Sequence, residues 1–151
     1  MKGLAIGQQA NATRVFTAQD VAAYRTLTGD EGLGFGTAMV ETPARSGVET
    51  AVSTPLKASV PGPLLAGMFS DLLGTKLPGR GTNWLKQQLQ YPTAAKIGEA
   101  ITATVEIIRL RPEKQLVNLR TTCTNSTGTL LCAGEALVLV SDLEVDRNYA
   151  G

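Results

Sequence analysis

The sequence contains no histidine among its 151 residues. A chain without histidine cannot by itself form a Ser-His-Asp triad, a Cys-His nucleophile pair or a histidine metal site. It has only two cysteines, whereas a structural zinc site needs four cysteine or histidine ligands. We therefore expect neither a metal nor a cofactor.

The sequence also lacks a large excess of positive or negative charge, and it lacks long apolar runs. The net charge is +1, which argues against a nucleic-acid-binding protein, because such proteins carry a strong basic excess. No apolar run reaches the ~18 residues of a membrane span. The first residues, MKGLAIGQQ, lack the apolar segment of a secretory signal. Two cysteines and no secretory signal predict a cytoplasmic protein with reduced thiols. The charge and the short apolar runs predict neither a nucleic-acid nor a membrane partner.

The remaining composition is that of a globular protein. Hydrophobic residues make up 43% of the chain and charged residues 18%, a balance that can support a core. Because single domains usually contain about 100–200 residues, the length predicts one domain over residues 1–151.

A central helix is the strongest local prediction. Pro61 and Pro63 suit its first turn, and Gly74, Pro78 and Gly79 are expected to end it. We predict a helix from Gly62 to Lys76 that buries a broad face. Its apolar residues recur in adjacent pairs four positions apart, a helical period: Leu64, Leu65, Met68, Phe69, Leu72 and Leu73.

The N-terminal part predicts a short strand followed by a helix. Ala12 to Phe16 is the strand. Thr17 is the expected N-cap and Gly29 the expected C-cap of the helix, whose apolar stripe is predicted to include Val21 and Leu27. Residues 30–59 are rich in glycine and polar residues, which predicts a long loop or lid.

The C-terminal half predicts antiparallel strands, because its apolar residues alternate. In the first strand, we expect Leu85, Leu89 and Tyr91 on one face, with Trp84 and Lys86 on the other. The four predicted strands are Trp84–Tyr91, Ile101–Leu110, Gln115–Asn125 and Thr129–Ser141.

The cysteines are predicted to meet. Ser126, Thr127 and Gly128 suit a short hairpin turn, and this register places Cys123 opposite Cys132. Two interpretations stay open: a pair of small buried residues, or a disulfide or redox switch.

This order of elements and motifs resembles the MaoC-like family of (R)-specific enoyl-CoA hydratases and dehydratases. In that family the central helix reads V-H-G-M-L-L-A-S, then F-S-x-L-L-G and L-P-G-x-G, and here Val60 to Gly81 occupies that place. Thr17 to Asp30 matches its T/A-x-x-D-V-A-x-[FY] helix leading to L-[ST]-x-D. The resemblance implies an α+β hot-dog fold, in which an antiparallel sheet wraps one central helix.

The resemblance also implies a site, from which histidine is missing. The family uses the aspartate and histidine of D-x-N-P-x-H and a backbone amide at the start of the central helix. Asp30 matches the aspartate, Phe35 stands at the histidine, and Gly62 keeps the amide position. A second histidine, that of V-H-G, is replaced by Pro61.

We take Asp30, Glu31 and Gly62 as candidate catalytic residues, Glu31 being a second carboxyl in place of the histidine. A structural explanation stands beside each: Asp30 bonding its own loop, Glu31 solvated, and Gly62 needed only for a tight start to the helix. Phe35 and Leu65 are candidate residues for binding the acyl group. Lys76 and Arg80 are candidates for the phosphates of coenzyme A, or solvated charges.

Three functions remain open. The first is a hydratase or dehydratase on an acyl-CoA or acyl-carrier-protein thioester. The second is a non-catalytic acyl-CoA-binding or partner subunit, and the third a ligand sensor without turnover. Hot-dog domains usually pair edge to edge, so the resemblance implies a homodimer, or a heterodimer with a homologous chain.

Overall fold

The computed structural model describes residues 1–36 and 59–144. Its elements in chain order are β1 (Gln9–Val15), α1 (Ala18–Thr28), α2 (Gly62–Thr75), β2 (Asn83–Gln90), β3 (Ala100–Arg111), a 3₁₀ turn (Pro112–Lys114), β4 (Leu116–Asn125) and β5 (Leu130–Leu139). The sheet is antiparallel, with the strand order β1-β3-β4-β5-β2.

The predicted central helix is confirmed as the buried element beneath this sheet. Leu65, Phe69, Leu72 and Leu73 of α2 are at most 1% exposed. They pack against sheet residues such as Val105, Leu119 and Val138, which are also buried. Each such side chain contributes about 1.5–3 kcal/mol on burial. The α+β hot-dog architecture is therefore the observed one. The helix runs one residue past Gly74, with Lys76 as its C-cap.

The caps of α1 also match the sequence. The Thr17 hydroxyl accepts a hydrogen bond from Asp20 N, and an Asp20 carboxylate oxygen accepts one from Thr17 N. Gly29 ends the helix with φ +77°, a left-handed conformation that favours glycine. The predicted apolar stripe is only partly right, because Val21 is buried whereas Leu27 is 85% exposed.

The face prediction for β2 is wrong at one end. A register shift between Trp84 and Lys86 leaves Leu85 without a cross-strand partner. Trp84 therefore lies opposite the buried Val138, and its indole N–H donates to Gln87 Oε1 on the same face. A bulge of this kind changes the alternation that the sequence pattern assumes. Leu85 is 54% exposed as a result.

Cys123 and Cys132 are register partners on β4 and β5, as the hairpin predicted. Both are free thiols and fully buried. Burial raises the pKa of each thiol to about 12, which keeps both thiols protonated and unreactive. This structure therefore favours the interpretation as two small buried residues.

Candidate functional site

Asp30 is held by the turn that follows α1. Its Oδ1 accepts hydrogen bonds from Gly32 N and Leu33 N, both at 3.2 Å. Its Oδ2 accepts one from the Tyr24 hydroxyl at 2.8 Å. The hydrogen bond from Tyr24, followed by those from the backbone of Leu33 and Gly32, lowers the pKa of Asp30. The carboxylate is therefore ionised near neutral pH, and it both bonds its own loop and contacts a side chain of α1.

Gly62 is the first residue of α2 and is buried. A Cβ placed there would collide with the ring of Phe35 and would lie 2.7 Å from Tyr91 Cε1 and Cζ. Glycine is therefore required for the close approach of two aromatic rings. The first N–H groups of an α-helix have no intrahelical acceptor and carry its positive dipole, so this end suits an oxyanion.

Phe35 packs against Gly62 and Tyr91 at the start of α2. Its ring meets that of Tyr91 edge to face, with centroids 5.0 Å apart and an interplanar angle of 68°. Such a pair contributes about 0.5–1.5 kcal/mol beyond its buried area. A phenyl ring cannot accept or donate a proton in catalysis, so the residue at the histidine position serves packing here.

Tyr91 packs beside Gly62 and Phe35 at the start of α2. It is half-buried at the end of β2, against the core. Burial, followed by the nearby Cys132, Cys123 and Tyr24 groups, raises the pKa of Tyr91 to about 12. Tyr91 thus packs on both Phe35 and Gly62, and Phe35 follows Asp30 by five residues in the same segment.

A groove of ≈ 420 Å³ opens beside Tyr24, between α1, α2 and β1. Its walls are largely apolar, from Ala12 of β1, Leu27 of α1, and Leu64 and Met68 of α2. Leu65, the predicted acyl-binding residue, is buried in the core, and the neighbouring Leu64 lines the groove instead.

The remaining predicted residues, Glu31, Lys76 and Arg80, do not line the groove. Glu31 is exposed in the turn after α1. Lys76 is exposed at the other end of α2, about 21 Å from its start at 1.5 Å per residue, and Arg80 is exposed in the segment that follows. Lys76 Nζ donates to Asn11 O at 3.4 Å. Most of the predicted loop or lid over 30–59 lies outside the described residues.

Sequence reasoning missed Tyr24 and Tyr91 as site residues. Tyr24 stands at the aromatic position of the α1 motif, six residues before Asp30, and the turn at the left-handed Gly29 brings Asp30 back to it. Tyr91 lies just before Pro92 at the end of a strand. Neither position carries a local signal of function.

The chain is similar to known proteins over most of its length. It is 35% identical over 135 residues to the (R)-specific enoyl-CoA hydratase of Rhodospirillum rubrum, covering 89% of this chain and 86% of that one. It is 36% identical over 138 residues to the (R)-specific enoyl-CoA hydratase of Aeromonas caviae, covering 91% of this chain and 96% of that one.

Solved structures agree. The structure of an (R)-hydratase from A. caviae involved in PHA biosynthesis superposes with a TM-score of 0.73 at 36% identity, covering 92% of this chain and 98% of that one. A MaoC-like dehydratase from R. rubrum, at 17% identity, shares the fold with a TM-score of 0.65, covering 91% of this chain and 93% of that one. No protein-family model matches the sequence. The two hydratase relatives nevertheless show that the chain belongs to the MaoC-like family of (R)-specific enoyl-CoA hydratases and dehydratases.

Proposed function

We propose that this protein is a hydratase or dehydratase that acts on an acyl thioester of the enoyl-CoA type. The supporting observation is that the ionised Asp30 is hydrogen-bonded in the turn that leads to Phe35, whose ring packs on Gly62 at the start of α2. Hydration of a 2-enoyl thioester needs a base for the attacking water and a donor for the oxygen that becomes negative. Asp30 is the base, and the N–H of Gly62 is the donor.

Asp30 suits the role of base because its carboxylate stays ionised. Its hydrogen bonds, first that from Tyr24, lower its pKa, so near neutral pH it is ionised and able to accept a proton. Each carboxylate oxygen has about two lone-pair positions, so Oδ2 can bind a water as well as the Tyr24 hydroxyl. The relatives named as hydratases add support, since the chain is 35% and 36% identical to them over most of its length.

The experiment is an assay of the purified chain with short and medium 2-enoyl-CoAs, crotonyl-CoA first. We expect loss of the conjugated enoyl absorbance with the wild type. Asp30→Asn should abolish this turnover while acyl-CoA binding, measured by calorimetry, stays nearly intact. Unchanged turnover in Asp30→Asn would remove Asp30 from the mechanism.

A second candidate function is a non-catalytic acyl-thioester-binding or partner subunit. The observation that favours it is Phe35, which stands at the histidine position and packs against Gly62 and Tyr91. Binding of crotonyl-CoA without any turnover, in both reaction directions, would select this function. Turnover that appears only on mixing with a homologous chain would select the partner subunit.

We propose pairing through β2 as the mode of assembly. Strand β2 lies at one edge of the sheet and carries two partly exposed large side chains, Trp84 at 39% and Leu85 at 54%. An edge strand with apolar side chains is suited to pairing with a second chain, as a homodimer or with a homologous partner. Light scattering should give twice the chain mass for the wild type and a smaller mass for Leu85→Lys. A wild-type chain that is a monomer would contradict pairing as a homodimer.

We propose the cytoplasm as the site of action. The supporting observation is that both cysteines, although register partners, are free thiols. Within the described residues, no helix combines the length and apolar character needed to cross a membrane. Cell fractionation with an antibody against the chain tests this location.

A further inference from the structure

Tyr24 is the only side chain that donates a hydrogen bond to Asp30 among the contacts of the described residues. The two residues are six apart, and three features return the chain to α1. Gly29 takes a left-handed conformation, its N–H bonds Arg25 O at 2.8 Å, and Asp30 N donates to the Thr28 hydroxyl at 3.1 Å. The Tyr24–Asp30 contact is therefore built into the end of α1.

Tyr24 also borders space that a substrate can reach. It lines the groove between α1, β1 and α2, whose walls include Leu64 and Met68 of α2. It thus combines a hydrogen bond to the base with a place in the wall of the groove. Of the other two site candidates after α1, Glu31 is exposed in the turn and Phe35 has no exchangeable side-chain proton.

We propose that Tyr24 supplies the proton that the missing histidine would otherwise deliver, so that Asp30 and Tyr24 form the acid–base pair of this chain. The inference rests on the proposed hydratase or dehydratase function. It assigns a role to a hydroxyl at a position where the family motif accepts phenylalanine as readily as tyrosine.

The proton transfers balance without any further reagent. Asp30 Oδ2 takes a proton from water as the water oxygen bonds to the β-carbon and the double-bond electrons move towards the thioester oxygen. The resulting enolate is stabilised by the N–H of Gly62. The enolate α-carbon then takes the proton of the Tyr24 hydroxyl, and the phenolate recovers a proton from the Asp30 carboxyl through their 2.8 Å hydrogen bond. Both groups return to their starting states, and dehydration is the reverse.

The acidities of the two groups fit these roles. Burial, and then the hydrogen bond to Asp30, raises the pKa of Tyr24, so the phenol stays protonated near neutral pH and is available as a donor. Transfer from the Asp30 carboxyl to a phenolate is downhill, because the pKa of Asp30 is lowered and that of Tyr24 is raised.

The test is Tyr24→Phe, which removes one oxygen and keeps the ring. We expect kcat for crotonyl-CoA hydration to fall by about 10²- to 10⁴-fold, the range of a lost general acid, with KM changed less than about threefold. Thr26→Val is the matched control. It removes a hydroxyl from an exposed position of the same helix and should leave kcat and KM unchanged.

The urea midpoint and the calorimetric binding of a saturated acyl-CoA separate chemistry from support of the fold. If Tyr24 acts in the chemistry, Tyr24→Phe keeps both near their wild-type values while kcat falls. Full kcat in Tyr24→Phe, with turnover abolished in Asp30→Asn, would overturn the role of Tyr24 and leave the proposed function standing. A wild-type chain that binds crotonyl-CoA without turning it over would overturn both.

Discussion

Phe35 and Gly62 meet at the start of α2, where the phenyl ring fills the position that a Cβ would take. The contact joins the residue at the histidine position to the expected oxyanion donor. The aromatic ring here thus fixes the shape of the slot, and proton transfer falls to other groups.

Gly62→Ala is predicted to destabilise the fold. The added methyl group collides with Phe35 and Tyr91, and overpacking of a buried site costs about 1–3 kcal/mol. Gly67→Ala is the matched control on the same helix, since a Cβ there meets no atom within 4 Å, and alanine should stabilise the helix by about 0.5–1 kcal/mol. Urea denaturation measures both changes. Equal stability of the two variants would contradict the described contact.

Phe35→His is predicted to raise turnover. An imidazole at this position returns the acid–base group that the family motif places there, and such a group contributes about 10²–10⁴-fold. Because the new side chain also loses its packing with Tyr91, we expect a gain nearer tenfold in kcat. Phe35→Leu keeps an apolar residue and serves as the control. If the two variants turn over crotonyl-CoA equally fast, the histidine position has no access to the substrate.

The helices and caps near the site could be predicted from sequence because their signals are local. The apolar pairs of α2, and the Thr17 and Gly29 caps of α1, each depend on residues within a few positions. The register shift at Leu85 depends instead on how β2 pairs with β5. The alternation of apolar residues within β2 alone cannot predict that pairing.

The site was predicted in part for the same reason. Asp30 and Gly62 stand in recognisable motifs, and Phe35, five residues after Asp30, packs on Gly62. Tyr24 and Tyr91 are found only from the folded contacts, Tyr24 with Asp30 and Tyr91 with Gly62. The helical period places both Leu64 and Leu65 on the apolar face of α2, and it cannot say which of them lines the groove. The packing of α1 and β1 decides that it is Leu64.

Asp30 is predicted to make stability depend on pH. Its pKa in the folded protein is lowered from the ordinary 3.8, so its contribution is present above about pH 4 and is lost as the pH falls through the folded value. The stability difference between wild type and Asp30→Asn should therefore be largest near neutral pH and shrink below about pH 4. Urea denaturation over a pH series measures it. A difference that grows on acidification would mean that Asp30 gains no stabilising partner in the folded state.

The two thiols are predicted to be unreactive in the folded protein. Both are fully buried, and their pKa values are raised to about 12. A thiol reagent such as Ellman's should label neither cysteine in native protein and both after denaturation. Rapid labelling of native protein, or a disulfide formed on mild oxidation, would instead support a redox switch.

The most direct test of the account is a crystal structure with a saturated acyl-CoA, which binds but cannot be hydrated. The account predicts the thioester oxygen about 2.7–3.2 Å from Gly62 N, with the acyl carbons on the side of Asp30 and Tyr24. A thioester bound on the outer face of the sheet, or one out of reach of both Asp30 and Gly62, would contradict it.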